Sequence, residues 1–484
     1  MSVSRLPYPF AETHQVVVEP GRIVTGPEPS LHGLAEARRR ANGHVTLERL
    51  SKSEFELALA RIYTDRGNGF DGDDLDHQFD LEDGETAYQT RDLLDEAEDA
   101  PVIRIVNQFL RRAVLDGASD LHVEPHEGGL RVRMRIDGFL QTIMDRSDLP
   151  VRRIVSRLKV MAGLDIAETR LPQDGRIPLR LGGRQIDTRV SSLPSQYGER
   201  IVLRILDRSS GLKPLHELGL HEDQVARLQK LSALPNGIIL ATGPTGAGKT
   251  TTLYSLLDLA DTRERNVVTV EDPVEYELPD ISQTQINSDI GMTFAAGLRA
   301  TLRQDPDVIL VGEIRDNETA SVAAQAALTG HLVFSSLHAN GSVEAVVRLR
   351  DLGVDNYLIG ATLRAAIAQR LLRRVCLNCS TAEPPTASDA ALFDQVGVIL
   401  PTRVMRAVGC ASCNNTGYVG RVGIFEITIV TETLRAAIGE GASETALRHA
   451  ALDPGDTLLG QGMQAVARGD STVDEVLRIV GDSV

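Results

Sequence analysis

Apolar runs and segments with helical spacing alternate along the second half of the chain. Residues 237–241 form a continuous apolar run, which is typical of a buried strand, and residues 251–257 continue with the pattern of a helix. Three further strand-like runs follow at residues 267–270, 308–311 and 332–336. Because strand and helix patterns alternate to about residue 375, we predict an α/β domain whose sheet is covered by helices on both faces.

A different pattern precedes this domain. A segment from Pro101 carries apolar residues at helical spacing, and residues 130–136 alternate apolar residues with arginines, as a half-exposed strand does. Residues 177–206 hold further strand-like runs. We therefore predict an α+β domain at residues 98–208, followed by the α/β domain at residues 209–484.

The N-terminal part of the chain carries no motif that indicates chemistry. Residues 1–66 contain a possible strand at 15–19 and a helical stretch at 51–63, and we interpret them as a small docking module. Residues 67–97 are predicted to be an acidic linker. Within this linker, residues 67–90 carry eight acidic residues and no lysine or arginine, which is typical of a solvated segment.

Composition narrows the possible function classes. The chain has 484 residues, of which 42% are hydrophobic and 24% charged, as in ordinary soluble proteins of several domains. A net charge of −16, with 4% aromatic residues and no tryptophan, argues against a nucleic-acid partner. Neither a signal-peptide pattern near Met1 nor an apolar run long enough to span a bilayer is found. We expect a cytoplasmic protein that reaches a membrane only through a partner or a surface contact.

Residues 243–250 fit the phosphate-binding loop pattern G-x-x-x-x-G-K-[ST] between the predicted strand and the predicted helix. Glycines in such a loop let backbone N–H groups surround a phosphate, and the helix N-terminus adds partial positive charge. Lys249 would reach the β- and γ-phosphates, and the Thr250 hydroxyl would bind Mg²⁺. The residues expected to bind ATP are Gly243, Pro244, Thr245, Gly246, Ala247, Gly248, Lys249, Thr250 and Thr251.

Acidic residues and histidines flank the other predicted strands of this domain. Glu313 follows one strand and would reach the Mg²⁺ shell, and Glu271 and Glu275 follow another. Acids at these positions lie where open α/β sheets bind ligands, although such acids can also merely solubilise a loop. His331 and His338 bracket a further strand, and the sequence leaves open whether they are structural or contact the nucleotide.

All four cysteines of the chain fall into two C-x-x-C pairs. Cys376 and Cys379 are separated from Cys410 and Cys413 by thirty residues, so the intervening segment must fold as a small lobe at residues 376–413. Four thiolates can close a tetrahedral structural zinc site, and disulfides are not expected in a reducing cytosol. Buried free thiols are the alternative.

Several linked motifs occur in order over roughly residues 97–480. They are GASDLHVEP, LDIAETRLPQDGR (164–176), GPTGAGKT, VEDPVEY (270–276), GLRATLRQDPDVILVGEIRD (297–316), TGHLVFSSLHAN (329–340) and the paired cysteine motifs that end in GYVGRVGIFE. Together they resemble the secretion ATPase superfamily of bacterial type II secretion and type IV pili. The resemblance implies a RecA-like P-loop domain that binds ATP, Mg²⁺ and Zn²⁺.

The resemblance also implies roles for single residues. Lys249 and Thr250 match the Walker A residues, and Glu313 matches the Walker B acid. Glu275 matches the glutamate that polarises the attacking water, with Glu271 as the competing choice. Further residues that it links to the nucleotide are Arg189 and Arg204 of the α+β domain, Arg299 and Arg303 before Walker B, and His331 and His338 of a histidine box.

The resemblance finally implies an assembly and a function. It implies a homo-hexamer with the nucleotide between the two large domains, and an inner-membrane platform protein that binds the N-terminal module. Paired cysteines exclude the pilus-retraction branch, and the short region before GASDLHVEP favours type II secretion over pilus assembly. The implied function is ATP hydrolysis that powers protein export. As rivals, a nucleic-acid translocase predicts turnover stimulated by DNA or RNA, and a non-catalytic scaffold predicts ATP binding without phosphate release.

Overall fold

The computed structural model describes residues 6, 10–11, 14–19, 21–41, 45–51, 54–55, 58–59, 100–181, 184–207 and 212–481. The chain divides into two compact units, Met1–Gly211 and Leu212–Val484. The predicted acidic linker and most of the predicted helical stretch at 51–63 lie outside the described residues. Within the described part, no helix combines the length and the apolar character that a membrane span requires.

A three-stranded sheet forms the described N-terminal part of the first unit. Its strands are β1 (Val16–Glu19), β2 (Arg22–Thr25) and β3 (Thr46–Arg49), and helix α1 (Leu31–Arg40) connects the last two. β1 pairs with β2 in antiparallel fashion, and β2 pairs with β3 in parallel. Ser30 begins the helix, because its hydroxyl accepts the Gly33 N–H at 2.9 Å and so caps a free backbone donor. The strand predicted at residues 15–19 is confirmed as β1.

The described residues from 100 to 207 form an antiparallel six-stranded sheet with two helices. The strands lie in the order β6-β5-β4-β9-β8-β7. Along β5, Leu130, Val132 and Met134 are fully buried while the arginines between them are not, so the alternation in the sequence becomes an apolar face and a charged face. The elements are α2 (Ala100–Leu115), β4 (Asp120–His126), β5 (Gly129–Ile136), β6 (Phe139–Arg146), α3 (Val151–Met161), β7 (Gln173–Leu181), β8 (Arg184–Ser195) and β9 (Gly198–Asp207).

The second unit is built on a seven-stranded sheet in the order β12-β11-β13-β14-β10-β15-β18. The strands of this unit are β10 (Gly237–Thr242), β11 (Val267–Glu271), β12 (Ser282–Gln285), β13 (Val308–Val311), β14 (Leu332–Leu337), β15 (Leu363–Val375), β16 (Thr381–Glu383), β17 (Val404–Arg406) and β18 (Tyr418–Ile429). Its helices are α4 (Glu222–Ser232), α5 (Lys249–Leu257), α6 (Phe294–Thr301), α7 (Asn317–Leu328), α8 (Glu344–Asp351), α9 (Asn356–Thr362), α10 (Ala387–Gln395), α11 (Glu432–Gly439), α12 (Glu444–Ala451), α13 (Leu458–Ala467) and α14 (Val473–Val480).

Successive residues of β10 enter two different cores. Ile238 and Leu240 pack in a cluster that contains residues of α7, α8 and α11, whereas Ile239 and Ala241 pack in a cluster with residues of α4 and α5. Side chains alternate between the faces of a strand, so an apolar run of this kind requires cover on both sides. The sheet is therefore covered by helices on both faces, as its apolar strands predict.

β15 and β18 form an antiparallel pair at one edge of this otherwise parallel sheet. The pair is the longest in the unit, with thirteen and twelve residues, and the segment between its strands contains β16, α10 and β17. This segment includes all four cysteines, so the predicted lobe at residues 376–413 extends from the end of the β15–β18 pair. The apolar residues beside it form a core with α13 and α14.

Candidate nucleotide site and cysteine cluster

The P-loop connects the end of β10 to the start of α5. Gly243 and Gly248 have φ values of 144° and 89°, which L side chains rarely adopt. A Cβ atom at residue 243 would also lie 2.7 Å from the carbonyl oxygen of Gln369. The glycine spacing in the sequence therefore reflects a backbone shape that other residues cannot take.

Lys249 is the first residue of α5 and turns back into the loop. Its Nζ donates hydrogen bonds to the carbonyl oxygens of Gly243 at 2.7 Å and Pro244 at 3.1 Å. Burial lowers the pKa of Lys249, and the nearby carboxylate of Glu313 acts in the opposite direction. Thr250 is exposed, so its hydroxyl is open to a ligand.

Glu313 lies two residues beyond β13 and is brought to the same edge of the sheet. Strands β13, β14 and β10 are adjacent and parallel, so their carboxyl ends meet where the P-loop begins. The Glu313 side chain is 15% exposed, forms an ion pair with Arg315, and lies 3.4 Å from Nε2 of His338. The structure therefore assembles Lys249, Glu313 and His338, and it adds Arg315, which sequence reasoning did not select.

His331 is not part of this assembly. It precedes β14, whereas His338 follows it, so the two histidines lie at opposite ends of a six-residue strand. The Nδ1 of His331 is 2.9 Å from the carbonyl oxygen of Ala326, at the end of the helix that leads into the strand. This contact matches the structural interpretation of His331 that the sequence left open.

The acidic segment after β11 carries both candidates for water activation. Glu271 is the last residue of β11 and is 3% exposed, whereas Glu275 is half-buried and four residues further along. β11 is parallel to β13, with Val270 opposite Val311. The segment therefore leaves the sheet at the edge where the P-loop and Glu313 lie.

The two arginines before β13, Arg299 and Arg303, are exposed at the end of α6. Arg299 forms an ion pair with Glu318 of α7, and the Nη1 of Arg303 donates to the carbonyl oxygen of Arg299 at 2.9 Å. Surface ion pairs of this kind are worth about 0–1 kcal/mol and are easily exchanged for another anion.

Arg189 and Arg204 belong to the first unit and lie directly opposite each other on β8 and β9. The next residue across the sheet from Arg204 is Asp120 of β4, whose carboxylate is 3.2 Å from Nε of Arg204. Arg176 of β7 lies opposite Arg189 on the other side. Residues opposite each other share one face of a sheet. Asp120 therefore follows three arginines in one row, and Arg135 of β5, whose Nε is 3.7 Å from the Asp120 carboxylate, lies on its other side. Sequence reasoning missed Arg176 and Asp120 because only the strand register places them in this row.

The four cysteines come together as a compact cluster. Their sulfurs lie within 4.8 Å of one another, with separations of 3.9, 3.9 and 3.7 Å for the pairs 376–410, 379–413 and 410–413. A tetrahedron with metal–sulfur bonds of about 2.3 Å has sulfurs about 3.8 Å apart, whereas a disulfide needs about 2 Å. The donor set and its spacing therefore fit zinc, which the sequence predicted.

Backbone groups prepare one of these sulfurs to carry a charge. Burial alone would raise the pKa of Cys413, but the N–H groups of Cys410 and Gly417, each 3.2 Å from the sulfur, help to lower it to about 6. Zinc binds thiolate and not thiol, so these N–H donors favour the form that the metal requires.

Two family descriptions match the chain. Residues 95–478 match the family described as Type II/IV secretion system protein, and residues 5–63 match a domain family of GSPII protein E. Among curated relatives, the chain is 45% identical over 480 residues to a putative type II secretion system protein E of Escherichia coli K12, covering 98% of this chain and 97% of the relative. It is 42% identical over 497 residues to the type II secretion system ATPase E of Vibrio cholerae, covering 100% and 98%.

Solved structures share the fold over most of the chain. The Legionella pneumophila ATPase DotB is similar with a TM-score of 0.57 and 21% identity, covering 79% of this chain and 96% of DotB. The pilus retraction motor PilT with bound ADP is similar with a TM-score of 0.52 and 25% identity, covering 77% and 96%. The α/β ATPase fold predicted from the sequence is confirmed by these likenesses.

Proposed function

The chain belongs to the Type II/IV secretion system protein family, and we propose that it is the ATPase motor of a type II secretion system. Its reaction is the hydrolysis of ATP, and its output is protein export. The resemblance to secretion ATPases that the motifs indicated is confirmed by relatives that match over the whole chain.

One observation carries this proposal. The P-loop lysine, the acid after β13 and the acidic segment after β11 all stand at one edge of one sheet within one unit. Nucleotide binding alone would need only the P-loop, whereas hydrolysis also needs groups that hold a metal and orient water. The arrangement therefore favours an enzyme over a nucleotide-stabilised scaffold.

The residues at this edge divide the work of hydrolysis. Backbone N–H groups of residues 245–248 and the Lys249 ammonium bind the phosphate tail, and the oxygens of Thr250 and Glu313 would hold Mg²⁺, a cation that prefers oxygen ligands. When bound, Mg²⁺ neutralises charge on the β- and γ-phosphate oxygens. Glu275 orients a water and accepts its proton as the water oxygen bonds to the γ-phosphorus. The bond to the bridging oxygen breaks, and ADP and phosphate leave.

In this mechanism the first unit supplies arginines whose permanent positive charge stabilises the phosphates during hydrolysis. Arg189 and Arg204 stand side by side, and their guanidinium groups would pair with phosphate oxygens when the α+β domain closes on the nucleotide. Asp120 holds Arg204 by an ion pair of 3.2 Å in the meantime. Arginines of this kind are worth about 10³–10⁵ in rate, so closure of the domain controls hydrolysis. In a homo-hexamer, sequential closure would transmit force around the ring.

The remaining parts connect the motor to its membrane. The N-terminal module binds an inner-membrane platform protein and keeps the motor at the cytoplasmic face of that membrane. The zinc lobe at residues 376–413 stiffens the end of the β15–β18 pair. The match of residues 5–63 to a domain of GSPII protein E favours secretion over pilus assembly, because it concerns the module that selects the partner.

The proposal is tested by measuring protein export in cells and ATP turnover in vitro for the same variants. In a secreting strain that lacks its own copy of the motor, the wild-type chain should restore the exported protein in the medium, and Lys249→Ala should not. The purified Lys249→Ala variant should release phosphate at less than about 1% of the wild-type rate, since the lysine contacts the transferred group.

A matched control removes a lysine from the same unit. Lys230 is exposed on α4, and Lys230→Ala should export and turn over like the wild type. Export by the Lys249→Ala variant would overturn the motor proposal. Restored surface pili without restored export would transfer the chain to pilus assembly, and turnover stimulated by DNA would indicate a translocase.

A further inference from the structure

A buried polar network lies between the P-loop helix and the acidic segment. Its centre is Glu271, at the end of β11, and its main partner is Tyr254 on α5, which is fully buried. The Tyr254 hydroxyl donates to Oε2 of Glu271. Neither residue belongs to the phosphate-binding loop, and the mechanism above uses neither of them.

Both carboxylate oxygens of Glu271 accept hydrogen bonds from protein donors. Besides the Tyr254 bond, its Oε1 accepts hydrogen bonds from Thr269 Oγ1 at 2.5 Å and from Gln283 Nε2 at 3.1 Å. A carboxylate that is 3% exposed and has donors on both oxygens is held in place and shielded from solvent. Its burial places Glu271 poorly for orienting the attacking water, and the half-buried Glu275 is the more accessible of the two glutamates.

The Tyr254 hydroxyl also reaches the neighbourhood of Glu275. Burial and then the Glu271 carboxylate raise the pKa of Tyr254, while a hydrogen bond from the Glu275 backbone acts in the opposite direction, as an N–H donor does. The Tyr254 ring packs edge-on against the ring of Tyr276, with centroids 4.7 Å apart at 82°. Gln283 holds the carbonyl oxygen of Tyr276 at 3.3 Å. The chain on both sides of Glu275 is thus fixed to this network.

We propose that Tyr254 and Glu271 are a positioning pair that fixes the backbone of Glu275 relative to the P-loop helix. Tyr254 lies five residues after Lys249 on α5, so the pair joins the helix that binds the phosphates to the segment that carries the water-activating glutamate. This inference rests on the proposed function, because it concerns the same ATP hydrolysis. It assigns to Glu271 a role in holding the site and leaves the proton transfer to Glu275.

The pair matters because hydrolysis depends on position more than binding does. A misplacement of about 1 Å at a reacting group can lower the rate by about 10²-fold, whereas the P-loop contacts to the phosphates do not pass through Tyr254. Loss of the Tyr254 hydroxyl should therefore reduce kcat and leave the affinity for ATP nearly unchanged.

The experiment measures kcat and KM for Tyr254→Phe, which removes one oxygen and keeps the buried ring. We expect kcat to fall at least about tenfold and KM for ATP to change less than about threefold. Tyr276→Phe is the matched control, because the Tyr276 hydroxyl is buried and has no hydrogen-bond partner among the described residues. It should keep both constants within about twofold of the wild type.

A pH profile separates positioning from proton transfer. In Tyr254→Phe and Glu271→Gln, the acidic limb of the kcat profile should remain at a lower plateau, because Glu275 still accepts the proton. In Glu275→Gln, turnover and its acidic limb should both disappear. Loss of the limb in Glu271→Gln with its retention in Glu275→Gln would make Glu271 the base and overturn the inference.

Other outcomes are equally decisive. A Tyr254→Phe variant with wild-type kcat overturns the positioning pair, and so does one in which kcat and ATP affinity fall together, since that indicates general damage. If Glu275→Gln is inactive while Tyr254→Phe is fully active, the proposed function stands and only this inference fails. Full activity in Glu275→Gln would instead remove the proposed water-activating residue itself.

Discussion

The sheet edge that carries the P-loop, Glu313 and His338, called the nucleotide edge below, belongs to the same unit as the cysteine cluster. The polar groups of the two sites are satisfied in different ways. In the cluster, four sulfurs face one another within 4.8 Å, two of the cysteines are buried, and backbone N–H groups supply further hydrogen bonds. At the nucleotide edge, Thr250 and His338 are exposed, and the Lys249 ammonium donates hydrogen bonds to carbonyl oxygens of its own loop.

This difference separates a site that holds its shape from a site that exchanges ligands. Four thiolates complete a tetrahedral coordination shell and leave no position for a substrate. A site that binds and releases a nucleotide must instead keep donors and acceptors that the ligand can take over. The buried Glu271 network resembles the cysteine cluster in this respect, because both hold neighbouring chain segments in place.

Removal of thiolates from the cysteine cluster should have a large effect on stability. Replacement of Cys376 and Cys410 by serine removes two of the four thiolates, so bound zinc should fall from one per chain to none. Loss of a structural metal should cost at least about 3 kcal/mol of unfolding free energy, which corresponds to a lower Tm by about 6–12 °C. Metal analysis and calorimetry measure the two quantities.

The same double variant should keep its affinity for ATP within about threefold of the wild type, because the P-loop lies outside the cysteine cluster. Treatment of the wild-type chain with a strong chelator should reproduce the lower Tm. Unchanged zinc content in the double variant, or no zinc in the wild type, would contradict the assignment of the cluster to a metal.

A smaller effect concerns the core beside the cysteine cluster. The buried Glu475 carboxylate lies 2.6 Å from both Arg373 and Arg478. Burial alone would raise the pKa of Glu475, but hydrogen bonds from Arg478 and Arg373 outweigh it and lower the pKa below 4.5. Because the folded pKa is depressed, this stabilisation is fully present above about pH 4.5 and is lost as the pH falls through the folded pKa.

Glu475→Gln should therefore lower the unfolding free energy at pH 7 by about 1–3 kcal/mol and weaken its decline below pH 4.5. Denaturant titrations of the second unit at several pH values measure this. Glu432, which is 85% exposed and paired with Arg435, provides the control, and Glu432→Gln should change stability by less than about 0.5 kcal/mol. Equal effects from both variants would show that burial of the pair is not the cause.

The two histidines at the ends of β14 should differ in their effect on ATP hydrolysis. His338→Asn should lower kcat about tenfold, because His338 lies 3.4 Å from Glu313 and helps to hold that carboxylate. His331→Asn should stay within about twofold, because its Nδ1 lies beside Ala326 and Thr329 at the opposite end of β14 from Glu313. Steady-state phosphate release measures both, and an equal loss in the two variants would remove the distinction between the histidines.

Local patterns in the sequence predicted much of the second unit. The strand, loop and helix around residues 237–257 follow from an apolar run, a glycine spacing and a helical period, all of which are local. The cysteine cluster follows from residue type and spacing. The antiparallel pairing of β15 with β18 could not be predicted, because the two strands are separated by more than forty residues and their patterns do not specify a partner.

The separate roles of the two glutamates after β11 could not be predicted from the sequence either. Glu271 and Glu275 are four residues apart in one motif, and only their burial and hydrogen bonds separate a positioning group from an accessible one. Tyr254 carried no signal, since an aromatic residue on an apolar helix predicts core packing. The row formed by Arg176, Arg189 and Arg204 depends on register across three strands.

Glu275→Gln should separate ATP binding from ATP hydrolysis and is the most stringent test of the proposed chemistry. This substitution keeps the size of the side chain and removes the carboxylate that accepts a proton from water. We expect the variant to bind ATP within about threefold of the wild-type affinity and to release phosphate at least about 10²-fold more slowly. Phosphate release at the wild-type rate would contradict the account, because the proposed chemistry would then lack the group that activates water.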